Sequence, residues 1–304
     1  MSKPFKRGRW SDLPQHPPRP HAYGATRSHS LALTSLPFGP LEVHWREYGQ
    51  GPPLLLVHGL MTSSYSWRYV IEDLGKDHRL ILPDLPGAGR SDAPDVPYTG
   101  AALATFLGEF VDALGVRGCL CIGNSLGGYL CMRAAQRDPG LFGRLVNLHS
   151  PGVPEPRIRL LNALLGIPGL ARALAWVVRQ HPNRWAWRNV HYWDESLKSR
   201  EEAETYGRPL ASVAGSRAFV RYLSDAVNAA EFSQFQDALV AEPFPIPLML
   251  IYARQDPMVP PWIGDTLAGA IPDAELTWLE DSSHFAHVDS PHRFLAAVRP
   301  FLSE

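Results

Sequence analysis

A serine with a glycine two positions away on each side is the first feature that could carry chemistry. Gly123-x-Ser125-x-Gly127 lies between an apolar run and a segment with helical spacing. Glycine costs backbone entropy inside a strand or helix, so this pair indicates a turn too tight for side chains. A strand–turn–helix junction of this kind exposes the serine hydroxyl beside the amides that begin the helix. The motif alone is weak evidence, since an ordinary Gly-Ser turn can have the same sequence.

The other two residue types that a nucleophilic serine needs follow downstream. A serine hydroxyl attacks only when a base takes its proton, and a carboxylate orients that base. Asp256 comes just after a predicted strand within PFPIPLMLIYARQDPMVP, and His284 lies in the loop after the predicted strand AELTWLED. The ligand crevice of a parallel sheet opens at the carboxyl ends of its strands. We therefore expect Ser125, Asp256 and His284 to meet there.

Alternating strands and helices must position these residues. Besides the two strands above, the patterning predicts strands at HSLALTSL, LEVHWREYG, PLLLVHG, RLILPDLPG, GCLCIGNS and RLVNLHSPG. It predicts helices at SYSWRYVIEDLGKD, YTGAALATFLGEFVDALGV, LGGYLCMRAAQRD and SPHRFLAAVRPFL. This alternation indicates the α/β class, with a mostly parallel, doubly wound sheet that has helices on both faces.

One long segment interrupts the alternation. Residues 151–243 have helical patterning without buried-strand runs, so we predict a helical cap inserted into a core made of residues 28–150 and 244–304. Residues 1–27 are rich in proline and basic side chains, which predicts a flexible N-terminal extension, either poorly ordered or lying along the surface.

The composition of the chain limits which classes of binding partner are expected. The chain has 304 residues, 45% hydrophobic and 19% charged, with a formal net charge of -1, so bulk charge favours neither nucleic acid nor an anionic membrane. No secretory signal pattern and no uninterrupted apolar run long enough to span a membrane is found. The three cysteines, clustered at 119, 121 and 131, predict reduced, buried thiols and a cytoplasmic location. No metal-ligand spacing occurs, so we expect no metal or other cofactor. The sequence leaves the oligomeric state open.

Five stretches resemble the α/β-hydrolase family: LLLVHGLMTSSYSWRYVI, DLPGAGRSDAP, GNSLGGYL, YARQDPMVP and DSSHFAHVDSPHRF. They extend over most of the chain outside the insertion, which resembles the helical cap of that family. The resemblance implies that Ser125 is the nucleophile, Asp256 the acid and His284 the base of a catalytic triad. It also implies an oxyanion hole made of the backbone amides of Leu60 and Leu126.

Neighbouring residues of the same types compete for these roles. His287 follows His284 in the same loop, and Asp281 precedes it. We expect His287 not to be the base and Asp281 to cap or orient the loop. His58, in the HG turn, is expected to be structural, whereas His149 either lines the pocket or belongs to the core.

The residue at the glycine-flanked turn decides the predicted reaction. HGLMTSSYSWR resembles haloalkane dehalogenases and epoxide hydrolases in particular, and those enzymes use aspartate as the nucleophile. Serine attacking an sp³ carbon would form an ether, which water does not readily cleave, whereas serine with an oxyanion hole is suited to acyl transfer. The sequence therefore predicts a serine hydrolase that cleaves small-molecule carboxylic esters through an acyl-enzyme on Ser125.

The cap is expected to select the substrate, and two other functions stay open. Four tryptophans of the insertion are predicted to form an apolar roof over the serine: Trp176, Trp185, Trp187 and Trp193. One alternative is a carbon–carbon bond hydrolase of ring-cleavage diketones, with Arg157, Arg159 or Arg188 binding the acid group. The other alternative is a non-hydrolytic ligand receptor on a hydrolase scaffold.

Overall fold

An eight-stranded sheet forms the centre of the protein in the computed structural model, which describes residues 5–6 and 8–303. In chain order the strands are β1 (Arg27–Ser35), β2 (Gly39–Tyr48), β3 (Pro53–Val57), β4 (Arg79–Pro83), β5 (Cys119–Asn124), β6 (Phe142–Leu148), β7 (Leu248–Ala253) and β8 (Glu275–Leu279). They lie in the order β1-β2-β4-β3-β5-β6-β7-β8. The β1–β2 and β2–β4 pairs are antiparallel and the others are parallel, which confirms the predicted α/β class.

Helices cover both faces of the sheet, as predicted for a doubly wound fold. The helices of the core are α1 (Ile71–Leu74), α2 (Gly100–Ala113), α3 (Leu126–Arg137), α10 (Trp262–Ala270), α11 (Ala286–Asp289) and α12 (Pro291–Ser303). Side chains of α2, α3 and α10 pack on one face, and those of α1 and α12 on the other. Because β3 and β7 are covered on both sides, their residues form continuous apolar runs rather than alternating with polar ones.

The segment SYSWRYVIEDLGKD differs from its prediction as one helix. It forms a 3₁₀ turn at Ser64–Trp67 and, after a break, the single-turn helix α1. Every side chain of the 3₁₀ turn is buried, so the turn has no solvent-facing side like that of a surface helix. The amide of Ser64 donates to the buried Asp84 carboxylate at 2.8 Å, which ties the turn to the end of β4.

The three cysteines are buried and free, in agreement with the expectation of reduced thiols. Cys119 and Cys121 lie on β5, and Cys131 lies on α3, with 3.4 Å between the sulfurs of Cys121 and Cys131. Burial raises the pKa of the Cys119 thiol to about 12. These side chains therefore serve as core packing in the free state.

The described part of the N-terminal extension lies against the cap and the core. Trp10 packs edge-on against Trp187 of the cap, and Phe5 against Trp193, each with 5.6 Å between ring centroids. The guanidinium of Arg19 donates to two backbone carbonyls of α11 at 3.1 and 3.2 Å. The described part of the segment therefore lies along the surface, while the flexibility of the extension stays a prediction.

The cap follows β6 and precedes β7. Its helices are α4 (Pro156–Leu165), α5 (Leu170–Gln180), α6 (Pro182–Asn189), α7 (Arg200–Leu210), α8 (Val213–Arg221), a π-helical segment at Tyr222–Ala226, and α9 (Ala229–Ala241). An ion pair between Arg68 of the core and Glu202 of α7 joins the two units, with side chains 0% and 3% exposed. The helices fall inside residues 151–243, while the domain boundaries themselves stay a prediction.

Candidate active site

The turn between β5 and α3 holds Ser125 in a backbone conformation that few non-glycine residues adopt, with φ 54° and ψ -126°. The flanking glycines leave room for this turn. A Cβ on Gly123 would lie 2.6 Å from the Cα of Gly128, and one on Gly127 would lie 2.4 Å from the carbonyl oxygen of His58. Both contacts are with backbone atoms, which cannot rotate away. The glycine spacing in the sequence is therefore a packing requirement of this serine turn.

A second turn, after β3, packs directly on the serine. A Cβ on Gly59 would lie 2.9 Å from the Cβ of Ser125. His58 orders this turn: its Nδ1 donates to the Gly59 carbonyl at 2.8 Å, and its Nε2 accepts from the Leu85 amide at 3.0 Å. Burial lowers the pKa of His58, which keeps the ring neutral. His58 therefore has the structural role that was expected of it.

His284 and Asp256 form a buried hydrogen-bonded pair. The Nδ1 of His284 donates to Asp256 Oδ2 at 2.7 Å, and the other carboxylate oxygen accepts from the amides of Met258 and Val259 at 2.7 and 3.0 Å. Burial would raise the pKa of Asp256, but His284 and the amide of Val259 hold it below its ordinary value. Asp256 is thus an anion whose hydrogen bond occupies Nδ1, so Nε2 is the ring nitrogen of His284 left for another partner.

The competing residues occupy other places. His287 is fully buried against Trp67, with 4.4 Å between ring centroids, and does not line the cavity described below. Burial holds the pKa of His287 well below its ordinary value. Asp281 is exposed at the surface and pairs with Arg293 at 3.2 Å. The structure therefore brings neither residue to the position that His284 and Asp256 share.

Of the two places expected for His149, the structure has the core and not the pocket lining. It follows β6 directly, has φ 54°, and is fully buried with its ring centroid 5.8 Å from that of His284. Burial lowers its pKa to about 3, so the ring is neutral. It lies beside His284 and does not line the cavity. Its two ring nitrogens have no hydrogen-bond partner within the described residues.

A cavity of about 480 Å³ opens above the serine turn. Ser125 and His284 line it together with Leu60 and Leu126, the two residues whose amides were predicted to form the oxyanion hole. Most of the remaining lining is apolar, and the list is Gly59, Met61, Pro151, Glu155, Arg157, Ile158, Leu161, Trp185, Asn189, His191, Phe219, Leu223, Val227, Pro257, Met258, Val259 and Phe285. The arrangement can hold an apolar small molecule against a serine and a histidine.

A family model for the alpha/beta hydrolase fold matches residues 52–291 of the chain. The protein belongs to the α/β-hydrolase family. The sheet order, the serine turn and the position of the cap agree with this assignment, and the chain is a hydrolase of this fold.

Proteins similar to this hydrolase have names that give different substrates and activities. The 2-hydroxymuconate semialdehyde hydrolase of Pseudomonas sp. is 27% identical, over 87% of this chain and 91% of that protein. An esterase structure from Thermogutta terrifontis has a TM-score of 0.71 at 23% identity, covering 91% of this chain and 98% of the other. The haloalkane dehalogenase DatA of Agrobacterium tumefaciens has a TM-score of 0.76 at 20% identity, covering 94% and 100%. The two structural likenesses show the fold.

The cap of the hydrolase corrects the prediction of a four-tryptophan roof. Trp185 lines the cavity, 6.3 Å from Phe219 between ring centroids. Trp187 and Trp193 instead pack beneath aromatic residues of the N-terminal extension, and Trp176 is 57% exposed on the outside of α5. Where each indole side chain packs depends on the neighbouring segments, which the tryptophan content of the sequence does not specify.

Several lining residues were not among the predicted pocket residues. Ile158 and Leu161, one helical turn apart on α4, face the cavity, and Phe219 of α8 and Phe285 of the histidine loop complete its apolar wall. The i, i+3 spacing on α4 was visible in the sequence as an apolar stripe. That stripe fits a cap core equally well, so it did not identify a cavity wall.

Proposed function

We propose that the protein hydrolyses carboxylic esters through an acyl-enzyme on Ser125. The observation that carries the proposal is the common cavity of Ser125 and His284, in which the hydrogen bond to Asp256 occupies Nδ1 of the histidine at 2.7 Å. A serine beside a base that is held in one tautomer is the arrangement that acyl transfer requires.

In the proposed mechanism, Nε2 of His284 takes the hydroxyl proton as Oγ of Ser125 attacks the ester carbonyl. Asp256 keeps the ring oriented and stabilises the imidazolium that forms. The amides of Leu60 and Leu126 bind the oxyanion of the tetrahedral intermediate. His284 then protonates the departing alcohol, and water attacks the acyl-enzyme with His284 again acting as the base.

The charges around the cavity favour a neutral ester over an anionic ring-cleavage diketone. A diketone acid needs polar contacts for its carboxylate, and a free cation would make the strongest of them. Of the three cap arginines considered for this task, Arg159 and Arg188 are exposed and do not line the cavity. Arg157 does line it, but its guanidinium pairs with Glu155 at 2.9 Å and also donates to the backbone carbonyl of Met258. The cation is therefore already neutralised by a carboxylate of the protein.

Replacing Ser125 with alanine tests the reaction. Turnover of a p-nitrophenyl ester series should fall by a factor on the order of 10³ to 10⁶, because the members of a triad act as a unit. A fluorophosphonate should label the wild-type protein at Ser125 and leave the variant unlabelled. Wild-type-like turnover by Ser125→Ala contradicts the proposal, and labelling without turnover of any ester favours the ligand receptor.

Matched pairs of variants test the other two roles. His284→Ala should lower turnover as much as the loss of the serine. His287→Ala should retain more turnover than His284→Ala when both are compared per folded molecule. Asp256→Asn should lower turnover roughly 10²- to 10⁴-fold by favouring the wrong tautomer. Asp281→Asn serves as its control, since Asp281 is exposed and pairs with Arg293. A ring-cleavage diketone is assayed beside the esters, and faster turnover of the diketone would favour the carbon–carbon bond hydrolase.

A further inference from the structure

Helices α4 and α5, with the turn between them, make a bent segment over residues 156–180 that is here called the cap hairpin. Its outer surface has an unusual concentration of exposed large apolar side chains. They are Leu160, Leu164, Ile167, Leu170, Trp176 and Val177, between 40% and 62% exposed. Single exposed apolar residues are ordinary on a protein surface, but a group of this size on one hairpin indicates a contact surface.

The charge of the same region has one sign. Between residues 156 and 180 the sequence contains four arginines and no aspartate or glutamate, although the whole chain has a formal net charge of -1. No described acidic side chain lies within ion-pairing distance of Arg159, Arg172 or Arg179. Arg159 and Arg172 are exposed and Arg179 is half-buried. The surface that complements the cap hairpin must therefore be both apolar and anionic.

The shape of the hairpin suits a surface rather than a span. No single described helix is long and apolar enough to cross a membrane. The pair α4 and α5 is, by length and composition alone, but the two helices meet at an angle of 96° and so do not form one straight span. Gly169 makes the bend with φ 90°, and Leu164, Ile167 and Leu170 lie in successive hydrogen-bonded turns at this corner. Apolar side chains at a corner, with tryptophan and arginine nearby, are typical of segments that lie in the boundary between lipid headgroups and acyl chains.

We propose that the cap hairpin docks on an anionic lipid surface, with Ile167 and Trp176 in the headgroup boundary and the arginines on lipid phosphates. This function goes beyond ester hydrolysis and does not depend on it. The inner side of α4 contributes Ile158 and Leu161 to the cavity wall, while its outer side carries Leu160 and Leu164. Docking therefore sets one wall of the cavity beside the lipid, where apolar substrates accumulate.

Sedimentation with vesicles tests the proposal. The Ser125→Ala protein, which keeps the cap hairpin intact, is mixed with vesicles of phosphatidylcholine alone or with 30 mol% phosphatidylglycerol, over a series of salt concentrations. We expect binding to the phosphatidylglycerol vesicles that weakens as salt rises. Arg172→Gln should lower the partition coefficient about fivefold, because one arginine near an anionic surface contributes about 1 kcal/mol to binding. The same change at Arg137, on α3 of the core, is the control and should have no effect.

The apolar contribution is tested separately. Ile167→Ser combined with Leu164→Ser should lower vesicle binding, whereas Val240→Ser, an 81% exposed apolar residue outside the hairpin, should not. The two serine substitutions are also made together in the protein that keeps Ser125. This variant should hydrolyse a water-soluble acetate ester as fast as the parent, so a loss of vesicle binding can be told apart from a loss of the proposed ester hydrolysis.

Two results would overturn docking on lipid. One is the absence of binding to phosphatidylglycerol vesicles at low ionic strength. The other is a dimer by light scattering that Ile167→Ser converts to a monomer, because a second copy of the chain would then cover the hairpin.

Discussion

Replacing Gly127 with alanine tests whether close backbone packing holds the serine turn. The added Cβ would lie 2.4 Å from the carbonyl oxygen of His58 and 2.5 Å from that of Val57. Both oxygens belong to the buried end of β3 and the turn after it, so relief requires the backbone to shift. The backbone of Gly127 is not left-handed, and the strain therefore comes from these contacts alone.

Gly108, inside α2, is the matched control. An added Cβ there meets no atom within 4 Å. Alanine in a helix interior is more stable than glycine by about 1 kcal/mol, so Gly108→Ala should raise the free energy of unfolding by about that amount. Overpacking at Gly127 costs about 1–3 kcal/mol or more, and we expect a net loss of about 2 kcal/mol. For a chain of this length 1 kcal/mol changes Tm by about 2 °C.

Thermal melts followed by circular dichroism measure the two variants. Gly108→Ala should melt about 2 °C above the parent and Gly127→Ala about 4 °C below it. Ester turnover of Gly127→Ala should also fall by about tenfold or more, because displacement of the turn after β3 moves the Leu60 amide relative to Ser125. If both variants melt higher and both keep full turnover, the contacts with His58 and Val57 do not hold the turn, and the reasoning is refuted.

Two further predictions concern the cavity and the buried histidine. Trp185→Ala should shift the preference for acyl-chain length in an ester series because Trp185 lines the cavity, whereas Trp176→Ala should leave that preference unchanged. If the two variants have the same chain-length profile, Trp185 does not select the substrate. The pKa of His149 is lowered to about 3, below that of an unfolded imidazole, so the folded state binds fewer protons and loses stability as pH falls through the acid range. The free energy of unfolding should fall by about 2 kcal/mol at pH 5 for this reason. In urea unfolding measured at several pH values, His149→Gln should not show this part of the fall. The same dependence of unfolding free energy on pH in both proteins would contradict the prediction.

The elements around the serine could be predicted because each has a local cause in the sequence. Strands buried on both faces appear as apolar runs such as Leu54–Val57. The glycines around Ser125 are required by contacts within a few residues or with the adjacent strand. Asp256 and His284 could be located because each follows a strand that is itself easy to predict.

The cap could not be predicted to the same depth, because its side chains take their orientation from distant segments. Trp185 and Trp187 are two positions apart on α6, yet one lines the cavity and the other packs against Trp10. That difference depends on where the N-terminal extension lies. The few apolar residues of the extension concealed its contacts, because part of them are polar: the guanidinium of Arg19 donates to carbonyls of α11, and the carbonyl oxygen of Pro14 accepts from the amide of Arg200.

The ion pair between Arg68 and Glu202 has a consequence for recombination among members of the family. Arg68 belongs to the core and is fully buried, while its counter-charge, Glu202, belongs to the cap. Replacing the cap by crossing over at its two ends therefore also replaces that counter-charge. A cap with an uncharged residue at this place leaves a buried guanidinium unpaired, at a cost of about 3–5 kcal/mol. A cap that replaces the present one must therefore carry an acidic residue at this place, or Arg68 must be changed together with the cap.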